Sequence, residues 1–285
     1  MRRRTRRGDL AIPSRGLRVP WNDDQDDVER IRPIVRITPG GVASHTTAAT
    51  VWGMPLPGRI QQDLSVHITR PTHADPPKRT GVAGHHCRLE PGEVRTVRGL
   101  DVTSPVRTWL DLAPMLTLDE LVAVGDFIVC EHHRSFGPGR EPLATLEELK
   151  AAVSREHRRR GLVRAREAVE LVRVGVDSPP ETQVRLIMLR AAFPEPVLNY
   201  VVVDGAFNEM SWPDLAVPEW KVAIEYDGGH HLTARQKEID DDRDHRMAQL
   251  GWRQVRISKG LLRDYGERAV VRRISEALRA QGWRR

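Results

Sequence analysis

The stretch SWPDLAVPEWKVAIEYDGGHH, residues 211–231, decides how the second half of this chain is read. Its apolar runs on either side of Pro218-Glu219-Trp220 predict two antiparallel strands joined by a tight connection near 218–220. The same stretch carries Asp214, Glu225, Asp227 and His231. Side chains alternate across a strand, so Glu225 and Asp227 share one face while Ile224 and Tyr226 share the other. Cross-strand neighbours sit roughly 5 Å apart, which brings Asp214 to the same place. Three carboxylates in a partly dry site repel one another strongly. Either one keeps its proton, or a hard divalent cation binds. Oxygen-only ligands suit Mg2+ or Mn2+ rather than zinc.

Outward from the hairpin, Ser178 is an N-cap candidate with Pro179 and Pro180 in the first turn, and Leu186, Ile187 and Leu189 give the helix after it an apolar stripe. VLNYVVVDG (197–205) reads as one strand. TARQKEIDDDRDHRMAQLG reads as a helix capped by Thr233 and closed by Gly251, WRQVRIS as a strand, and RAVVRRISEALRAQG as a closing helix. The order is helix, three strands, helix, strand, helix.

GVDSPP (175–180) is the clearest boundary. Before it, residues 1–20 read as turns and short strands, and NDDQDDVER (22–30) as an exposed acidic segment. HTTAATVWGM (45–54) is a short helix, DLSVHITR (63–70) a strand, and HADPPKRTGVAGHH (73–86) a loop. Thr103 and Ser104 are cap candidates for an apolar helix with Pro105 in its first turn, LDELVAVGDFIVC reads as a second, and TLEELKAAVSREHRRRG as a third with Thr145 and Glu148 spaced as a capping box. The expected division is an α+β domain over 1–174 and a second domain over 175–285.

Composition sets wide bounds. The 285 residues are 39% hydrophobic and 29% charged, as in a globular protein. No stretch approaches the roughly 20 apolar residues of a membrane span, and no apolar segment follows the basic MRRRTRRGDL start, so a secretory signal is not expected. Two cysteines, Cys87 and Cys130, are too few for a disulfide scaffold and suggest a reducing cytoplasm. A net charge of +6, with basic runs at the start and at SREHRRRGLVRAR (154–166), permits a nucleic-acid partner without requiring one. HHC (85–87) and CEHH (130–133) offer zinc-ligand types, but on separate elements.

Pro213-Asp214 followed by Glu225-Tyr226-Asp227 on a hairpin resembles the metal site of the PD-(D/E)XK nuclease superfamily. With IEYDGGHH, Asp240, Arg243, Leu250-Gly251-Trp252 and Val255-Arg256, the stretch 178–262 is similar to a domain of unknown function related to very-short-patch-repair endonucleases. Upstream, SHTTAATVWGMPLP, GHHCRLEPGEV and LDVTSPVRTWLDLA resemble the region preceding that domain in many actinobacterial proteins, which are themselves similar to abortive-infection type IV antitoxins. Such antitoxins usually open with a winged helix. RRGDLAIPSRGLRVP could be only its final wing, which implies either a misassigned start codon or a member without DNA-reading helices. The implied fold is α+β (mixed α/β): an antitoxin-like domain, then a restriction-endonuclease-like αβββαβ core.

The resemblance implies that Asp214 bridges a Mg2+ or Mn2+ ion, with Glu225 and the Tyr226 carbonyl completing the protein ligands. Asp214 reads otherwise as a turn carboxylate after proline. Asp227 occupies the usual lysine position and reads equally as an Asp-Gly turn residue. His231 is the nearest candidate acid or base, or an exposed histidine. Glu181 resembles the helix acid that many superfamily members place near the metal, yet Ser178-x-x-Glu181 is also a capping box. Asp240 is expected to be structural. Arg243 would reach a phosphate or pair with a carboxylate. The implied activity is metal-dependent hydrolysis of phosphodiesters, in DNA. The rivals are a nuclease fold that binds nucleic acid without cutting, an antitoxin-like regulator with a toxin or defence-system partner, and an RNase toxin.

Overall fold

The computed structural model describes residues 10–14, 17–20, 26–132, 139–204, 206, 208–228 and 234–284. Contacts divide the chain into two units, one of residues 1–128 and 143–172, the other of 129–142 and 173–285. Both mix helices with sheet, so the fold is α+β.

In unit 1, β1 (Leu10–Ser14) and β2 (Leu17–Pro20) form a two-stranded antiparallel hairpin. α1 (Asp27–Arg36) follows, then β3 (Val42–Ala43), α2 (His45–Val51), α3 (Gly58–Gln61), β4 (Val66–Arg70), β5 (Val82–His86), β6 (Val94–Val97) and β7 (Leu100–Thr103). Strands β3–β7 make one mixed sheet in the order β5-β4-β3-β7-β6. Four helices complete the unit: α4 (Pro105–Leu112), α5 (Leu118–Val129), α6 (Leu146–Arg155) and α7 (Leu162–Leu171). Val28, Ile31, Ile34 and Val35 of α1 pack with Ala43, Ala48, Ile68 and Val102 in its core.

Three expectations for this half need correction. The acidic segment, read only as exposed, becomes helical from Asp27: Asp26 accepts the Glu29 N–H at 3.0 Å and caps α1, which runs through Pro33. Residues 82–86, expected in a loop, are a strand pairing parallel with β4. The third helix stops at Arg155, and Gly161 in the left-handed region (φ 81°) precedes the separate helix α7. At Thr145 the capping box forms as the spacing predicts.

In unit 2, α8 (Pro179–Arg190) is capped by Ser178, whose hydroxyl accepts the Glu181 N–H. It leads to β8 (Val197–Leu198), β9 (Val202–Val203), β10 (Glu209–Ser211), β11 (Leu215–Val217), a 3-10 turn over Pro218–Trp220 and β12 (Val222–Asp227). α9 (Ala234–Gln249), β13 (Arg253–Ser258) and α10 (Lys259–Ala280) complete it. The sheet order is β13-β12-β11-β8; β12 runs antiparallel to β11 and parallel to β13.

This sheet is covered on both faces. Leu215, Val217, Val222, Ile224, Val255 and Ile257 pack against Val184, Ile187 and Met188 of α8 and Val270 and Ile274 of α10. The alternate residues Ala216 and Ala223 pack with Met247 of α9 and Trp252. Two details differ from the sequence reading. The single strand expected over 197–205 is broken at Asn199 (φ 52°) into β8, which pairs with β11, and β9, which pairs with β10. The closing helix starts at Lys259, ahead of the expected Arg268, with Ser258 as its cap and a kink at Gly266.

Candidate functional site

The register of the hairpin builds the site. Leu215 pairs with Ile224, so extending the ladder by one residue sets Asp214 opposite Glu225. Both continue the face of Ala216 and Ala223, which looks toward α9. Asp214 is fixed by its backbone neighbour, its Oδ2 accepting the Tyr226 N–H at 2.7 Å. Tyr226 itself packs against the opposite, apolar face.

Glu225 is partly buried, and burial raises its pKa, opposed first by Arg243 and reinforced by Asp214. Arg243, on α9, brings Nη2 to 3.4 Å from each carboxylate oxygen. Arg256, on β13, brings Nε to 3.9 Å of Oε2 and holds Asp244 at 2.6 Å. Parallel pairing of Glu225 with Arg256 explains the second approach, and the packing of Met247, one turn on from Arg243, against Ala216 and Ala223 explains the first. Of the two roles considered for Arg243, this geometry has it beside a carboxylate.

Glu181 joins from the first turn of α8. Its carboxyl accepts from Ser178 Oγ at 2.7 Å and from the Asp177 N–H at 3.0 Å. The cap is therefore real, although the carboxyl reaches the amide of residue 177 rather than that of Ser178. The side chain is also buried, and burial together with the nearby Asp214 charge pushes its pKa up to about 7. A cap on an exposed helix end carries no such penalty.

Asp227 ends β12, exposed and paired in register with Ser258. His231 and Thr233 lie outside the described residues. Asp240 falls within α9, but its side chain is not among those described.

The donor set at the hairpin is all oxygen: the carboxylates of Asp214, Glu225 and Glu181 and the carbonyl of Tyr226. That chemistry fits a hard cation such as Mg2+ or Mn2+. Among the described residues, two groups of three bring their ligand atoms within 4.8 Å of one another, His45 with His67 and His85, and Cys130 with His132 and Asp177; the carboxylates of Asp214, Glu225 and Glu181, as a set of three, stand farther apart than that. The two cysteines of the zinc-ligand stretches 85–87 and 130–133 each find partners within their own unit. Cys87 accepts from Arg107 Nη2 at 3.0 Å. Asp177 Oδ1 accepts from Cys130 Sγ at 3.4 Å and lies 3.2 Å from His132 Nδ1. Burial, opposed by Arg140 and reinforced by Asp177, pushes the Cys130 thiol up to about 11. No sequence signal joins His45, His67 and His85, which are about twenty residues apart from one to the next.

Among the described residues, no helix is long and apolar enough to cross a membrane. No family model matches the chain, and no solved structure matches it significantly. Two uncharacterized proteins of Mycobacterium tuberculosis, one from strain CDC 1551 / Oshkosh and one from strain H37Rv, are each 26% identical over 217 residues, spanning 76% of this chain and 73% of their own length.

Proposed function

We propose that unit 2 is a Mg2+- or Mn2+-dependent endonuclease domain acting on DNA. The observation that carries this reading is that the Asp214 charge acts on both Glu181 and Glu225, each of which burial also holds above its ordinary pKa. Such a cluster costs stability, and a hard cation is what would relieve it. The succession of α8, the three-stranded β8-β11-β12 meander, α9 and β13 supports the reading by analogy with restriction-endonuclease-like cores.

Asp214 and Glu225 would hold the ion, with the Tyr226 carbonyl as a third oxygen. When bound, the ion supplies Lewis-acid polarisation of the phosphodiester and a bound water acidic enough to attack it. The Tyr226 N–H keeps Asp214 aimed at the site. Glu181, titrating near 7, can hold or release a proton at its carboxyl oxygens near neutral pH. Arg243 and Arg256 supply the positive charge that the superfamily usually draws from lysine at the position of Asp227. Positioned beside Glu225, they are also placed to hold a phosphate.

Those arginines favour a second reading as well. They already compensate Glu225, so the fold could be kept to bind nucleic acid, as in an antitoxin-like regulator, without cleaving it. Supercoiled plasmid separates the two. Nicking that requires Mg2+ or Mn2+, stops with EDTA and vanishes in Asp214→Ala and Glu225→Ala supports the nuclease. A plasmid that shifts on a gel but stays intact, with single-stranded DNA and RNA also uncut, supports the binder.

A further inference from the structure

Unit 1 contains a cluster that the carboxylate site does not use. His45 opens α2, His67 lies in β4 and His85 in β5. The parallel register pairs Thr69 with His85 and His67 with Ala83, which puts both rings on one face of the sheet. His67 Nδ1 is 3.0 Å from His85 Nε2. The His45 ring stacks on His85 with centroids 3.8 Å apart and lies 5.4 Å from His67. One ring nitrogen from each residue falls within 4.8 Å of the other two.

We propose that His45, His67 and His85 form a zinc site, a three-imidazole set whose fourth position takes water or an anionic oxygen. Three nitrogen ligands with one open position are an established zinc arrangement, whereas magnesium prefers oxygen. Two Zn–N bonds of about 2.0–2.1 Å at a tetrahedral angle hold their nitrogens about 3.4 Å apart. The His67–His85 pair at 3.0 Å is close to that separation, and the His45 ring, stacked on His85 with planes 17° apart, turns to aim its nitrogen at the same ion. Without one, a single N–H···N contact joins His67 and His85, and His45 stacks on His85.

The surroundings keep the set ready to ligate. The ligating form of histidine is neutral. Burial and then the other histidines push His45 down to about 2 and His85 to about 4, and burial also lowers His67, against the raising effect of Asp63. Arg107 and Arg159 contribute to the His45 shift, but neither presents a bare charge. Arg107 pairs with Asp111 and Glu93 at 3.0 Å each, and Arg159 with Asp111 at 2.8 Å.

His45 Nδ1 lies 3.0 Å from Ser44 Oγ, which accepts from Thr69 Oγ1 at 2.7 Å. This buried hydroxyl pair orients the ring and leaves Nε2 as the ligand atom. His45 also holds a left-handed backbone (φ 51°), uncommon outside glycine and kept only where the surroundings enforce it.

The test uses full-length protein stripped with EDTA, returned to metal-free buffer and titrated with ZnCl2 against a chromogenic chelator. Wild type is expected to take up one zinc at this cluster and to melt at a higher temperature with zinc but not with magnesium. His67→Asn and His85→Asn should each weaken uptake at least about 100-fold, since losing a ligand exceeds the effect of losing an outer partner. Cys130→Ser should keep it. His85 is only partly buried, so His85→Asn decides the matter if His67→Asn fails to fold. No uptake by wild type, equal uptake by wild type and His85→Asn, or loss confined to Cys130→Ser each overturns the proposal.

Discussion

Replacing Glu181 with glutamine asks whether the carboxyl at the head of α8 serves the helix or the site. Glu181 is 8% exposed and its pKa rises from 4.5 to about 7, through burial first and Asp214 second. At 1.36 kcal/mol for each pH unit, ionising it in the folded protein costs about 3 kcal/mol. The sign follows from proton counts. Between pH 4.5 and 7 the folded protein holds more of this proton than the unfolded chain, so stability falls as pH rises. The penalty is under about 1 kcal/mol at pH 5 and nearly complete at pH 8.

Glutamine removes the charge and can keep the cap. Its amide oxygen can accept from the Asp177 N–H while its NH2 donates to Ser178 Oγ. Urea unfolding at pH 5 and pH 8 measures the difference. Glu181→Gln should be more stable than wild type at pH 8 by about 2–3 kcal/mol and close to it at pH 5. A variant that is less stable at pH 8, or that keeps the wild-type pH slope, would refute the electrostatic account and leave Glu181 as a cap. A protein that keeps a destabilising carboxylate where glutamine would cap as well keeps it for the site.

Three further outcomes can be measured the same way. Ala192 sits past the end of α8 at φ 51°, exposed, in a reverse turn where its N–H meets the Leu189 carbonyl and the Phe193 N–H meets that of Met188; Ala192→Gly should stabilise by about 1 kcal/mol in urea. A Cβ on Gly125 would come 2.5 Å from Val172 Cγ2 and 3.2 Å from Trp109 Nε1, so Gly125→Ala should destabilise by about 1–3 kcal/mol, and an unchanged midpoint would contradict the packing. Arg243→Met removes the group that most lowers the Glu225 pKa, which should then climb further. Its loss of stability should be larger at pH 8 than at pH 5, and Mg2+ should raise its melting temperature more than that of wild type.

The parts of the fold legible in the sequence were those with local signals. Ser178-Pro179-Pro180, Thr145 with Glu148, and Pro218-Glu219-Trp220 each fix their own geometry within a few residues. Elements that depend on partners were hidden. β5 has no apolar alternation, only Val82-Ala-Gly-His-His, and becomes a strand because β4 supplies its ladder. α1 begins inside an acidic run (22–30) whose charges obscure the helical spacing of Val28, Ile31, Ile34 and Val35 and the cap at Asp26. The break at Asn199 needs a left-handed residue that nothing in VLNYVVVDG announces except the asparagine itself. The three histidines of unit 1 meet only because β4 and β5 pair in parallel with α2 over them.

At the carboxylate site the sequence posed the right conflict with too few resolutions. Repulsion among Asp214, Glu225 and a neighbour pointed to a held proton or a bound cation. The structure favours the first, by raising the pKa of Glu181 and of Glu225, and adds arginines delivered from α9 and β13. The two are coupled through distance. At 3.4 and 3.9 Å the guanidinium contacts on Glu225 are longer than the 2.7–2.9 Å of a strong charged hydrogen bond, so they lower its pKa without bringing it back to the ordinary value. A carboxylate held by guanidiniums at full contact would have little to gain from another cation. One held at this distance, facing Asp214 across the ladder and sharing its field with Glu181, still gains from one, which is why the arginines moderate the case for a metal here rather than remove it.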